Sequence, residues 1–135
     1  MRRSFFIHWI TSTSILLGVL LVSVCAQADF PSGRELAAQK KYKAAARIFI
    51  KECLENNAES CQDLGAMGTL IDDKQMTILG FTRACLLGKA ESCLISGSQE
   101  IYRGHDKDGL ALLRRGCADG NNDSCRQLDL LKQHH

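Results

Sequence analysis

The sequence CLENNAESC at residues 53–61 returns as CLLGKAESC at 85–93 and as CADGNNDSC at 117–125. The copies recur with a constant period of 32, and each holds two cysteines in the spacing C-x7-C. Self-similarity at a fixed period is typical of stacked-repeat proteins, in which no single repeat can bury its own apolar face. The sequence therefore predicts an array of structural repeats.

Further positions follow the same register. Inside the three stretches a serine and an acidic residue recur, and a large apolar residue precedes each first cysteine by four positions. These positions are Ser60, Ser92 and Ser124; Glu59, Glu91 and Asp123; and Phe49, Phe81 and Leu113. We interpret the serines as hydrogen-bonding and packing residues at helix starts, because catalysis needs one nucleophile and not three.

The spacing of apolar residues predicts α-helices. Five of them recur every three or four residues and so share one helical stripe: Tyr42, Ala45, Ala46, Phe49 and Cys53. A second helix is predicted to begin near residue 57, since Leu64 and Gly65 follow at helical spacing. Its small residues allow another helix to approach closely.

Helix starts are predicted from an acid three residues after Asn56, Gly88 and Gly120, a spacing like that of a capping box. The fold class is then all-α, an α/α superhelix of short antiparallel helix pairs. We expect repeats at about 42–73, 74–105 and 106–135, a partial unit at 34–41 and a final unpaired helix from 123 to about 132. The predicted structural core consists of Phe49, Phe81, Leu113, Leu64 and Gly65.

Residues 1–28 have the organisation of a secretory signal peptide. Two arginines open the chain, an apolar stretch is densest at 15–24, and Ala26 and Ala28 end the segment. Cleavage before Asp29 would leave a repeat domain at 29–135 in the periplasm or outside the cell. An uncleaved membrane anchor is the alternative, because residues 5–24 are long enough to span a bilayer.

Six cysteines remain in the predicted mature chain, and the repeat favours one of their fifteen pairings. Each repeat has its own pair of cysteines, which face each other across a tight turn between two helices at a separation that a disulfide can span. We therefore predict disulfides within the copies: Cys53–Cys61, Cys85–Cys93 and Cys117–Cys125. A zinc site usually has two ligands within two to four residues, and redox catalysis uses C-x-x-C, so neither fits. No metal and no cofactor is expected.

The charge balance excludes some classes of partner. The chain has 17 lysines and arginines, 15 acids and a formal net charge of +2. That excess lies in Arg2 and Arg3, so residues 29–135 carry no net charge and show no electrostatic footprint for nucleic acid. A membrane is expected to matter only for the signal segment before its cleavage.

Several motifs resemble Sel1-like repeats. They are A-x-x-x-F-x-K-x-C at 45–53, C-x-x-L-G at 61–65, and Tyr102-Arg103-Gly104 before Asp106. The resemblance is closest to the cysteine-rich Sel1-like proteins secreted by Helicobacter and related bacteria, and it covers most of residues 34–135. It implies a right-handed superhelix related to tetratricopeptide repeats, with C-x7-C bridges. The period of 32 is shorter than is usual in that family, which implies a shorter turn within each repeat.

Two functions are compatible with these observations. The first is a non-enzymatic binding module, whose concave surface holds an unidentified protein or peptide in the periplasm or outside the cell. The second is a weak β-lactamase-like enzyme or a penicillin- or cell-wall-fragment-binding protein, because members of the similar family have been so described. No serine has a lysine three residues later, as S-x-x-K requires, so we assign no catalytic residue. His105 is interpreted as a solvated turn residue.

Overall fold

The computed structural model describes residues 31–133, and the predicted signal peptide lies outside them. All regular structure in this part of the chain is α-helical, which confirms the predicted all-α solenoid. Seven helices follow one another: α1 Gly33–Ala38, α2 Tyr42–Leu54, α3 Ala58–Leu70, α4 Lys74–Leu86, α5 Ala90–Tyr102, α6 Asp106–Ala118 and α7 Asn122–Gln133. None of these helices is long and apolar enough to cross a membrane.

Each sequence repeat divides into two equal halves. Helices α2 to α7 begin at positions 42, 58, 74, 90, 106 and 122, so a new helix starts at every half period. The middle residue of every turn between them, and of the turn before α2, has a positive φ: Lys40, Asn56, Asp72, Gly88, Gly104 and Gly120. Helices α1 to α6 therefore end in the same way, and the chain reverses its direction with a constant turn.

The turn between α2 and α3 shows how this reversal is built. The N–H of Asn57 donates to the carbonyl of Glu52 at 3.1 Å, and the N–H of Asn56 donates to that of Cys53 at 3.0 Å. This pair of hydrogen bonds is the Schellman motif, which requires a left-handed residue just after the helix. Equivalent bonds recur at the other turns, so the last carbonyls of α1 to α6 are satisfied locally.

The predicted start of α3 near residue 57 is confirmed, but Asn56, Gly88 and Gly120, which were expected to mark the helix starts, lie one position too early, in the turns that end the preceding helices. The N-cap of α3 is Asn57, whose side chain accepts from the N–H groups of Glu59 and Ser60. Asparagine and glycine favour both the left-handed C′ position and the N-cap, so adjacent candidates could not be separated by composition. The outer bounds also differ, because α1 spans Gly33–Ala38 and α7 spans Asn122–Gln133.

The three disulfides join the cysteines within each copy, as the repeat predicted. They are Cys53–Cys61, Cys85–Cys93 and Cys117–Cys125, and they link α2 to α3, α4 to α5 and α6 to α7. Their Cα atoms lie 4.6 to 4.7 Å apart. The last helix is therefore not unpaired, as expected above, but is bonded to α6.

The five predicted core residues are buried, and the three large ones that share a register each lie against a glycine. The side chain that follows each such glycine by half a repeat lies over it, on the next helix in the chain. The three pairs are Gly33 with Phe49, Gly65 with Phe81, and Gly97 with Leu113. A Cβ atom on Gly65 would lie 2.8 Å from the ring of Phe81, so the ring occupies the space that a side chain would need. Phe49 and Leu64 also belong to one cluster of buried apolar side chains.

Where no disulfide is present, glycine also brings consecutive helices together. A Cβ atom on Gly80 in α4 would lie 2.7 Å from Cα of Gly65 in α3, and closer still to its backbone nitrogen. Between α5 and α6, a Cβ atom on Gly109 would lie 2.6 Å from the carbonyl oxygen of Gly97. The array therefore alternates covalently linked pairs with pairs in backbone contact.

Candidate functional site

A groove of about 1160 Å³ runs between α4 and α6 and is closed by the last turns of α3 and α5. Its apolar lining consists largely of Ile78 and Leu79 from α4 and Ala111 and Leu112 from α6. Leu79 is 61% exposed, so the groove presents a leucine side chain to solvent. The groove thus combines a large volume with apolar surface that is open to solvent.

The groove follows the repeat register. Lys74, Ile78 and Thr82 lie one helical turn apart on one face of α4 and line the groove. Their equivalents one repeat later are Asp106, Leu110 and Arg114 of α6, which line a second hollow of about 380 Å³. Leu131 and Lys132 of α7 line the second hollow at the positions that Gln99 and Glu100 of α5 take, one repeat earlier, in the larger groove. One face of the array therefore presents two hollows in equivalent positions.

A nearly buried carboxylate lies at the edge of the larger groove. The side chain of Glu100 is 11% exposed, accepts a hydrogen bond from Nη1 of Arg103 at 3.0 Å and lies 2.6 Å from Nδ1 of His105. Buried carboxylates are tolerated when they are paired in this way. His105, interpreted above as a solvated turn residue, is in fact half exposed and bonded to Glu100. It occupies the N-cap of α6 without capping the helix through its side chain.

Two polar atoms of groove-lining residues have no hydrogen-bond partner within residues 31–133. They are Oγ1 of Thr82 and Oε1 of Gln99, both covered by neighbouring atoms. A covered polar atom without a partner costs about 1 to 3 kcal/mol. Neither position demands a polar residue for the fold, since the repeat before them carries Ile50 and Met67 at the equivalent places.

Unpaired charges line one end of the groove. Asp72, Lys74 and Asp108 lie near the N-terminal ends of α4 and α6, and no ion pair involves them among the described residues. Together with the Glu100 and Arg103 pair, the charged lining holds three carboxylates against one lysine and one arginine. The groove therefore carries a small negative excess when His105 is neutral.

A carboxylate with a lowered pKa, Glu59, lies outside the groove, where α1, α3 and the turn before α5 meet. Lys89 Nζ and Arg34 Nη2 each lie 3.4 Å from the carboxylate of Glu59. The hydrogen bond and charge of Lys89, followed by those of Arg34, lower the pKa of Glu59 below its ordinary value. All three groups are accessible to water, so this network adds little to stability.

The residues predicted from the sequence build the scaffold and do not line this site. None of the six bridged cysteines, and none of Phe49, Phe81, Leu113, Leu64 and Gly65, borders either hollow. The three repeated serines do not border them either. Ser60 donates a hydrogen bond to Glu52, as interpreted above, whereas the covered Oγ atoms of Ser92 and Ser124 have no partner within residues 31–133. No group of three or more His, Cys, Asp or Glu side chains within residues 31–133 could hold a metal ion.

The groove residues could not be predicted from the repeats, because they share a position and not a chemistry. Residues 74, 78 and 82 differ in type from residues 106, 110 and 114, so a comparison of repeats finds no motif there. The spacing of Gly88, Gly104 and Gly120, at half the repeat period, was the available signal in the sequence. It would have fixed the helix phases and thereby the face on which these residues lie.

No protein-family model and no curated protein matches this chain. The resemblance to cysteine-rich Sel1-like proteins thus rests on the motifs given above.

Proposed function

We propose that this protein is an exported, disulfide-stapled repeat scaffold of the Sel1-like type that binds a protein or peptide segment in the groove between α4 and α6. Three intramolecular disulfides indicate an oxidising compartment, which supports the periplasm or the cell exterior as its location. The observation that carries the binding function is the groove itself, with its open apolar lining beside unpaired polar groups.

The stapled architecture suits such a role. A binding surface built from side chains on successive helices keeps its shape only if the helices hold their positions. Here each helix from α3 to α6 is fixed to one neighbour by a disulfide and to the other by backbone contact at glycine. A groove on this scaffold is therefore organised before its partner arrives, which lowers the entropic cost of binding.

A peptide array tests the proposal. The oxidised protein is probed against immobilised peptides of varied sequence, and binding is quantified for the wild type and two charge variants of α4. Leu79→Glu places a carboxylate in the groove, whereas Leu86→Glu places one on a similarly exposed part of the same helix outside it. We expect Leu79→Glu to lower affinity at least about tenfold, because it desolvates a charge against an apolar partner, and Leu86→Glu to leave it unchanged.

Two results would contradict the proposal. One is the absence of any peptide that binds the wild type above background, and the other is equal loss of binding in both variants. A nitrocefin turnover assay on the same samples tests the alternative, β-lactamase-like function. If the wild type hydrolyses nitrocefin and Leu79→Glu abolishes that turnover, the groove is an active site and not a peptide-binding site.

A further inference from the structure

We infer that the occupant of the groove is an extended peptide, held through its main chain by Thr82 and Gln99 and carrying a basic residue toward Asp72 and Asp108. This inference rests on the proposed function, because it specifies the partner of the same groove. It begins from the two unpartnered polar atoms, which the fold does not need.

The equivalent positions show that these polar side chains are not required by packing. In the preceding repeat the place of Thr82 is taken by Ile50 and that of Gln99 by Met67, which is buried. In the following repeat the equivalents are an exposed arginine and a leucine. The larger groove is thus the place where a covered polar pair replaces apolar residues, at a cost that no hydrogen bond within residues 31–133 offsets.

The chemistry of the pair indicates the ligand group. A carboxamide and a hydroxyl both donate and accept, and together they complement the N–H and C=O groups of a peptide bond. One torsion in each side chain, χ1 in Thr82 and χ3 in Gln99, exchanges the covered oxygen for another atom of the same side chain. A ligand that supplies hydrogen-bond partners for both groups would therefore remove the cost of leaving these polar atoms unpaired.

Only an extended chain offers such groups along its length. The backbone groups of a helical ligand are already bonded within the helix, except at its ends. Nucleic acid is disfavoured, because the charged lining has an excess of carboxylates over basic side chains. The same excess complements a peptide with a lysine or arginine beside an apolar residue, which would lie on Ile78 and Leu112.

The experiment compares Thr82→Val and Gln99→Met with the wild type, using the tightest-binding peptide of the array in linear form. Each variant removes the polar atoms while keeping the approximate side-chain volume. We expect each to weaken binding roughly five- to tenfold and to leave the midpoint of thermal unfolding equal or higher. A lower midpoint would show that the atoms support the fold, which would overturn the inference.

Three peptide analogues complete the test. N-methylation of the main chain at the critical position should reproduce the loss in the wild type but cause little further loss in Gln99→Met. A version of the peptide stapled as a helix should bind at least about tenfold more weakly, and replacement of its basic residue by glutamate should also weaken binding. If array peptides bind and Leu79→Glu abolishes that binding, but these analogues and variants behave like the parent, the inference fails and the proposed function stands.

Discussion

Two kinds of helix pair alternate along the array, and they are held together in opposite ways. The pairs α2/α3, α4/α5 and α6/α7 carry a disulfide, whereas α3/α4 and α5/α6 bring backbone against backbone at glycine. The turn between helices is the same three-residue Schellman turn in both kinds. The turn therefore does not determine how the helices are fixed, and the side chains at the interface do. A stapled pair is held by the bond between two sulfur atoms. A glycine pair is close because glycine has no side chain to keep the two backbones apart.

The largest effect is expected at a glycine pair, from Gly80→Ala. The new Cβ atom would lie 2.7 Å from Cα of Gly65, and backbone cannot move aside as a flexible side chain can. Alanine favours a helix by about 1 kcal/mol over glycine, but the steric conflict outweighs that gain. We expect a loss of more than about 3 kcal/mol in the free energy of unfolding, measured by chemical denaturation.

A substitution of an exposed helical residue, Arg47→Ala, is the control for Gly80→Ala and should change stability by less than about 0.5 kcal/mol. If Gly80→Ala fell within about 1 kcal/mol of the wild type, α3 and α4 would not be in backbone contact. The comparison between the two kinds of pair would then lose its basis.

At the stapled pairs we expect a smaller loss for each bridge. Replacing Cys85 and Cys93 together by alanine should cost about 2 to 3 kcal/mol, because a short loop in the unfolded chain is no longer closed. Replacing Cys117 and Cys125 should cost less than that, since both are only half-buried and little packing is lost with them. Denaturation of the two double variants under identical conditions measures the difference.

The same difference in burial predicts the order of reduction. Cys85 and Cys93 are inaccessible to solvent, whereas the pair at Cys117 and Cys125 is partly accessible, and thiolate attack requires access to a sulfur. Under limiting dithiothreitol, followed by alkylation and peptide mapping, the C-terminal pair should be labelled first. Early labelling of Cys85 or Cys93 would show that burial does not govern the bridges.

The two kinds of interface were not equally visible in the sequence. The stapled pairs could be predicted because the cysteines recur at the repeat period and each copy has its own pair. The glycine pairs were predicted only in part, from Gly65, because Gly65 and Gly97 keep the repeat period whereas their partners at 80 and 109 do not. Contacts between Gly80 and Gly65 depend on the rotation of both helices about their axes, which composition does not encode.

The turns show a further limit of prediction. Glycine at 88, 104 and 120 indicates a left-handed residue, but lysine, asparagine and aspartate occupy the same conformation at 40, 56 and 72. Half of these turn positions were therefore hidden by residue type. The groove was hidden for a related reason, because its lining depends on the phase of α4 and α6 that these turns set.

Substitutions at the left-handed turn positions should have smaller effects, and they test the turns of both kinds of pair. Lys40→Gly should stabilise the protein by about 1 kcal/mol, since φ is +60° there and lysine is strained in that conformation. Gly88→Ala should destabilise it by a similar amount, and no neighbouring atom lies close enough to add a steric term. Denaturation midpoints measure both changes, and the same sign for the two would contradict a purely conformational origin.

The smallest effect is expected at Glu59, where ion pairs, and not packing, connect α3 to α1 and to the turn before α5. Its pKa is lowered first by Lys89 and then by Arg34. A carboxylate with a lowered folded-state pKa contributes stability above its unfolded pKa, near 4.5, and loses that contribution as the pH falls through the folded value.

An NMR titration should show the Glu59 pKa rising more in Lys89→Gln than in Arg34→Gln. The small difference in thermal midpoint between wild type and Lys89→Gln should shrink as the pH is lowered below 4.5. An equal rise in both variants would show that Lys89 is not the stronger partner, and an unchanged pKa would show that solvent screens the network completely.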